Sequence, residues 1–261
     1  MDFLNTILQH KQAEITARKE QLSFQDLEAK LNEATSVRDF KRHFTPGTIG
    51  IIAEIKQASP SKGLLCQDFN PRRLAKAYEA AGASAISVLT DERFFKGSLA
   101  DLRSAREVTT TVPLLRKDFI IDAYQLLEAR VNGADAALLI VAALTENQLQ
   151  QLIQAANRLQ LTPLVEVHNQ VELEIALAAG AAVIGINNRD LTTFNVDINT
   201  TFKLAKLIPN TVMIVSESGI RHHEDLTRLA EAGVQAVLIG EALVTEVDPG
   251  LKIRQLLGRV G

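Results

Sequence analysis

Between residues 51 and 240 short apolar runs alternate with amphipathic stretches. The runs are IIAEI at 51–55, AISVL at 85–89, VPLLR at 112–116, AALLIV at 136–141, PLVEV at 163–167, AVIGI at 182–186, VMIVS at 212–216 and AVLIG at 236–240. Each has the length of a strand buried on both faces. Helical periodicity occupies 71–81, 99–108, 122–131, 146–160, 170–179, 199–207, 223–232 and 251–258. The mean strand-to-strand step is about 26 residues, which suits a strand plus a crossover helix.

A weak internal repeat supports the count of eight. AGASAISVL, NGADAALLI, AGAAVIGI and AGVQAVLIG carry Gly82, Gly133, Gly180 and Gly233, spaced by 51, 47 and 53 residues, or two strand–helix units each. Each glycine follows a helix, where a left-handed residue closes the last turn. Eight strands and eight helices predict an α/β fold, a closed (βα)8 TIM barrel that leaves no edge strand. An open doubly wound sheet is the competing architecture. It would favour GxGxxG after its first strand; KQASPSKG stands there instead, so no nicotinamide site is indicated.

Residues 1–48 read differently. Helices are predicted at 2–20 and at 24–31, the second capped by Ser23, with no strand signal. This prefix is expected to pack on the barrel as a helical extension of one domain spanning 1–261. A chain of 261 residues, 46% of them hydrophobic, supplies a large core. Lys plus Arg is 28 and Asp plus Glu is 31, for a net charge of −3. No basic tract with interleaved aromatics is present, so a nucleic-acid partner is not expected, while a small anionic substrate is allowed. The single cysteine, Cys66, cannot form an intrachain disulfide and fits a cytoplasmic location. There is no signal-peptide pattern and no apolar stretch approaching 18 residues, so no membrane role is expected.

In such a barrel the carboxyl ends of the strands meet at one mouth. Glu54 and Lys56 lie on the first strand, Lys117 and Asp118 end the third, Glu166 is in the fifth, Asn187 and Arg189 follow the sixth, and Glu217 and Ser218 follow the seventh. Any one of them is explained by a strand leaving the core. The set is not, because charges within apolar strands are costly unless paired or hydrated, and one polar cavity accounts for them together.

SESGI at 216–220 and IGEAL at 239–243 place Gly219 and Gly240 after the last two strands, where backbone N–H groups can approach a phosphate. Glu241 would contribute its N–H with its side chain turned away. Ser59, Ser61 and Lys62 are further anion contacts, and residues 95–98 border the mouth. Asp91 and Arg93 read as local loop charges. His168 shares a strand face with Glu166 without a base assignment, and His222 and His223 read as helix-start or surface residues. No HxH, HExxH or cysteine cluster suggests a metal.

EIKQASPSKG, LLRKDFIID, LVEVH, IGINNRDL and SESGI, in this order, with FFKGSLADL at 94–102 and the helical extension, closely resemble the indole-3-glycerol phosphate synthase family of tryptophan biosynthesis. The resemblance covers almost the whole chain. It implies a lyase that converts 1-(2-carboxyphenylamino)-1-deoxyribulose 5-phosphate to indole-3-glycerol phosphate, carbon dioxide and water, with no organic cofactor or metal. By motif position it implies that Lys117 is the general acid toward the substrate ketone. Glu166 would stabilise positive charge at nitrogen and move protons, and Glu54 and Lys56 would position substrate and serve dehydration; the split of acid and base roles among these four stays open. Asn187 and Arg189 would orient the anthranilate portion. Ser59, Phe119 and Glu217 would contact substrate, and Ser218, Gly219, Gly240 and Glu241 would hold the phosphate.

Gln57 stands where the family is often basic, and Glu241 where it is often serine. Three readings compete with the synthase: an aldolase with a Schiff base on Lys117, a phosphoribosylanthranilate isomerase, and a noncatalytic phosphate-binding module.

Overall fold

The computed structural model describes residues 3–44, 47–191 and 193–259; residue 2 of the first expected helix lies outside them. Eight parallel strands form a closed ring: β1 (Gly50–Ile55), β2 (Ala85–Leu89), β3 (Leu114–Lys117), β4 (Ala136–Ile140), β5 (Thr162–Val167), β6 (Val183–Asn187), β7 (Met213–Glu217) and β8 (Ala236–Ile239). They pair in chain order, and Gly50 and Ile51 of β1 meet Ala236 and Val237 of β8. That closure excludes the open doubly wound sheet.

The helices are α1 (Phe3–Gln21), α2 (Phe24–Ala29), α3 (Pro71–Ala80), α4 (Glu92–Phe95), α5 (Leu99–Val108), α6 (Ala123–Val131), α7 (Glu146–Arg158), α8 (Gln170–Ala178), α9 (Asn199–Leu204), α10 (His223–Glu231), α11 (Glu241–Val244) and α12 (Pro249–Leu256). Their starts are written in the sequence. Asn70, Ser98, Asp122, Thr145, Asn169 and Asp248 each accept a first-turn N–H from the helix they precede. Gly82, Gly133, Gly180 and Gly233 end helices at φ between +83° and +88°, as the repeat predicts. No helix among the described residues is long and apolar enough to cross a membrane.

Three strands are shifted at both ends from their expected bounds, and four others differ by one residue at one end. β3 starts at Leu114 rather than 112, just past Pro113, and it runs on through Lys117. β6 and β7 continue through Asn187 and Glu217, which face one another in register. The expected helix at 199–207 becomes α9 followed by a 3₁₀ turn at Ala205–Leu207. The helix α4 was not expected.

Side chains of alternate parity divide the core in two. Ile51, Ala53, Ile55, Val165 and Val167 point outward under the helices, whereas Ile52, Leu115, Leu138, Leu164, Val215 and Leu238 fill the barrel. The extension closes the barrel at both ends. Phe40 and Phe44, with rings 5.3 Å apart, pack against Ala85, Ala136 and Ala236 at the strand starts. At the opposite end α1 crosses the mouth.

A buried ionic network holds α1 there. Lys11 is fully buried, with its Nζ 2.9 Å from Asp91, 3.0 Å from Asp118 and 3.1 Å from Glu14. Asp91 is therefore no loop charge: it is buried, caps α4 and pairs with Lys11. Asp118 also accepts from Arg116 and Thr90, and Arg116 continues to Glu128, which meets Arg18 of α1. Burial opposes the charge on Asp118, but Arg116 and Lys11 outweigh it and hold the carboxyl well below the usual range.

Candidate active site

Strand parity builds the site. The residues two positions beyond Ile52, Leu115, Leu164 and Val215 are Glu54, Lys117, Glu166 and Glu217. On each inner face an apolar residue fills the barrel and a charged one stands above it at the mouth. They open on a cavity of about 660 Å³, one wall of which is Phe3, Leu4 and Ile7 of α1. The residues that the family resemblance assigned to catalysis and substrate all line this cavity: Glu54, Lys56, Ser59, Lys117, Phe119, Glu166, Asn187, Arg189, Glu217, Ser218, Gly219, Gly240 and Glu241. Phe95 also lines it, its ring 6.1 Å from that of Phe119. Ser98 instead caps α5.

Lys117 stands among three carboxylates. Its Nζ is 3.7 Å from Glu217 Oε2 and 3.9 Å from Oε2 of both Glu54 and Glu166. Burial disfavours the ammonium, but Glu217, Glu166 and Glu54 outweigh it and raise its hold on the proton above that of an ordinary lysine. Glu54 has a second cation, Lys56 Nζ at 2.6 Å from Oε1. Burial would raise its carboxyl, yet Lys56 and Lys117 bring it below the usual range.

Glu166 and Glu217 are driven apart. Burial opposes ionisation at Glu166, but Lys117 and His168 hold it down at about 2. His168 Nε2 lies 3.2 Å from Glu166 Oε1, and its Nδ1 lies 3.0 Å from Glu172 Oε2. Glu217 is pushed up to about 8 by burial and by the charge of Glu166. The cavity therefore holds an ammonium, ionised carboxylates and one carboxyl that keeps its proton at neutral pH.

The end formed by β7 and β8 is shaped by backbone. Ser218 and Gly219 are successive left-handed residues, at φ +68° and +83°. For a serine that conformation costs on the order of 1–2 kcal/mol. It is held by Ser218 Oγ donating to Asn187 Oδ1 at 2.9 Å and by Asn188 Nδ2 donating to Ser218 O at 3.0 Å. Asn187 Oδ1 also accepts from Arg189 N at 3.1 Å. A Cβ at Gly240 would collide with Glu54 Oε1 and lie 3.0 Å from Lys56 Nζ, so β8 approaches the first-strand pair only with glycine there. Glu241 turns its carboxylate to Lys62, 2.5 Å away, and so ties the loop after β1 to α11.

The sequence reading overlooked Lys11. A signal was present: Leu4, Ile7, Lys11 and Ile15 are the buried positions of α1, so the lysine interrupts an apolar stripe at helical spacing.

A family model described as indole-3-glycerol phosphate synthase matches residues 4–256. The indole-3-glycerol phosphate synthase of Chloroherpeton thalassium is 49% identical over 249 residues, covering 94% of this chain and 95% of that one. That of a Roseiflexus species is 48% identical and covers 98% of both chains. Among solved structures, 3-hexulose-6-phosphate synthase from Salmonella typhimurium is similar at a TM-score of 0.65 and 13% identity, covering 81% of this chain and 98% of that one, which is a likeness of fold.

Proposed function

The chain belongs to the indole-3-glycerol phosphate synthase family, and from that premise we propose how its cavity carries out the reaction. The protein is a carbon–carbon lyase of tryptophan biosynthesis that closes, decarboxylates and dehydrates 1-(2-carboxyphenylamino)-1-deoxyribulose 5-phosphate. The observation that carries the residue roles is the Lys117 ammonium surrounded by Glu54, Glu166 and Glu217.

Lys117 donates a proton to the substrate ketone oxygen. The ketone carbon becomes more electrophilic, and the ring carbon bearing the carboxylate attacks it to form the new carbon–carbon bond. Loss of carbon dioxide returns the bonding electron pair to the ring. The new hydroxyl then leaves as water, with a proton lost from the adjacent carbon. Glu166 stabilises positive charge at the nitrogen and accepts a proton, while the Glu54–Lys56 pair orients the sugar chain and serves the dehydration.

The two ends of the substrate take different parts of the cavity. Arg189 and Asn187 orient the anthranilate portion, against Phe119 and Ser59. Ser218, Gly219, Gly240 and the N–H of Glu241 take the phosphate, the anionic group that this barrel mouth suits. Holding both ends brings the reacting carbons together, and much of the acceleration derives from that orientation. Phe3, Leu4 and Ile7 wall the cavity, so we read the extension and barrel as one functional unit. A Schiff-base aldolase is disfavoured, because it needs a neutral amine and three carboxylates keep the proton on Lys117.

The test is a fluorescence assay of indole formation with this substrate, with carbon dioxide measured separately. Turnover by the native chain and its loss in a folded Lys117→Ala variant are expected. A folded variant with undiminished turnover would remove Lys117 from the mechanism.

A further inference from the structure

We propose that His168 is a positioning residue for this reaction: clamped between Glu166 and Glu172, its imidazolium holds Glu166 ionised and turned toward Lys117. The proposal rests on the reading of Glu166 as a reacting carboxylate.

The clamp is built from both sides. His168 lies one residue past β5, on the inner face that carries Glu166, and its side chain is 11% exposed. One Glu166 oxygen, Oε1, is 3.2 Å from His168 Nε2; the other, Oε2, is 3.9 Å from Lys117 Nζ. Glu166 thus presents one oxygen to each of two cations. On the far side Glu172 is fixed in the first turn of α8. Its Oε2 accepts from His168 N at 2.9 Å and faces His168 Nδ1 at 3.0 Å, while its Oε1 accepts from Asn169 Nδ2 at 2.7 Å. His168 Nδ1 has a hydrogen-bond partner in Glu172, whereas Nε2 makes no hydrogen bond and meets Glu166 Oε1 as an ion-pair contact, so the charged imidazolium is the form that suits a carboxylate on each side.

The arrangement decides which carboxylate is ionised. Glu54, Glu166 and Glu217 crowd around one ammonium, Lys117, and like charges at such distances do not all ionise readily. Lys56 gives Glu54 a second cation, and His168 gives Glu166 one. Glu217 has Lys117 and only a weaker pull from His168, against burial and the charges of Glu166 and Glu54, and its carboxyl is the one pushed upward. The charged groups facing Glu166 are Lys117 from β3, Glu54 from β1, Glu217 from β7 and His168. Those facing His168 are Glu166 and Glu172, then Glu217 more weakly, with Asp190, Asp197 and Arg189 sharing the wall of an adjoining cavity of about 530 Å³. Burial opposes the imidazolium, yet Glu166 and Glu172 raise His168 to about 10.

The experiment compares pH profiles of kcat/KM for the native enzyme, His168→Gln, His168→Arg and Glu166→Gln, with thermal melts as a check on folding. His168→Gln is expected to lose about 10-fold or more in kcat with little change in KM, the scale of loss for a group that orients a reacting one. Its acid limb should move to higher pH by about one unit or more, since removing a neighbouring cation makes Glu166 harder to ionise. His168→Arg should restore the limb. An unmoved limb in His168→Gln, or equal losses in both His168 variants, overturns the proposal. Undiminished activity in Glu166→Gln overturns the reading of Glu166 and the proposal with it. An inactive Glu166→Gln beside an unmoved His168→Gln limb overturns the proposal alone. Nitrogen NMR of the native imidazole does not depend on any variant folding. Both ring nitrogens should be protonated at pH 8, and a neutral tautomer there overturns the proposal.

Discussion

The Lys11 ammonium lies 3.0 Å from the Asp118 carboxylate, and Asp118 is the residue next to Lys117. A helix outside the barrel thus meets the chain one peptide from the central lysine of the site. Breaking a buried ion pair from one side leaves uncompensated charge, at a cost of about 3–5 kcal/mol. Lys11→Met, which strands Asp91 and leaves Asp118 with Arg116 alone as its cation, should lower stability to urea on that scale and raise KM as the wall of Phe3, Leu4 and Ile7 loosens. A variant with native stability and KM would show that α1 is held by its apolar face alone.

Lys117→Arg separates charge from proton donation. Guanidinium stays protonated, so the three carboxylates keep a cation but the ketone loses its acid. Turnover should fall by about 10²–10⁴, the usual contribution of a positioned acid. Single-turnover kinetics would check this, and near-native turnover would make Lys117 an electrostatic element only.

The Glu217 carboxyl should be seen directly. Infrared difference spectra should show a protonated carboxyl at pH 7 that titrates near 8 and is missing in Glu217→Gln. The stability consequence has a definite sign. The folded protein holds this proton between the ordinary carboxyl value of 4.5 and about 8 while the unfolded chain does not, so this group's contribution to stability falls as pH rises through that window. Urea titrations from pH 5 to pH 8 should show a flatter slope in the variant.

Gly240→Ala should spare the fold and injure the site. The added methyl meets Glu54 and Lys56, so these two must shift. Misplacement of reacting groups by about 1 Å can cost on the order of 10² in rate. Native kcat/KM would mean that the pair has room to give way.

Glu241→Gln tests the tie to Lys62. These side chains are 33% and 50% exposed, so stability should change by less than about 0.5 kcal/mol. Freeing Lys62 beside the phosphate end should lower KM, by an amount that shrinks as salt is added. A KM independent of both the substitution and salt would leave the contact without a role in binding.

Glu54 and Glu166 were legible because each interrupts an apolar strand, and Lys117 and Glu217 because each stands at the carboxyl end of one; the parity of a strand then fixes which face a residue takes. The helix-closing glycines were legible because their positive φ leaves few alternatives. Asp91 was misread because its partner Lys11 is on another element, and local pattern holds no record of a counter-ion far along the chain. Phe40 and Phe44 gave no signal either. A pair of aromatics in an irregular, charged segment has no period, and only the closed barrel creates the opening they fill. The split between Glu166 and Glu217 lay beyond the sequence for a related reason: it depends on how many cations each carboxylate meets.

The ties of the extension are unevenly distributed around the ring. Lys11, Arg18, Lys19 and Arg38 all reach residues between Asp91 and Asp135, on the β2 to β4 side. A chain severed in the connection between β4 and β5 would therefore yield unequal fragments. The first would bring its own buckle, fastened across both rims; the second would have only its strands and helices. Gene fragmentation, circular permutation or the grafting of half-barrels would meet that asymmetry, with the leading half the better candidate for a self-sufficient scaffold.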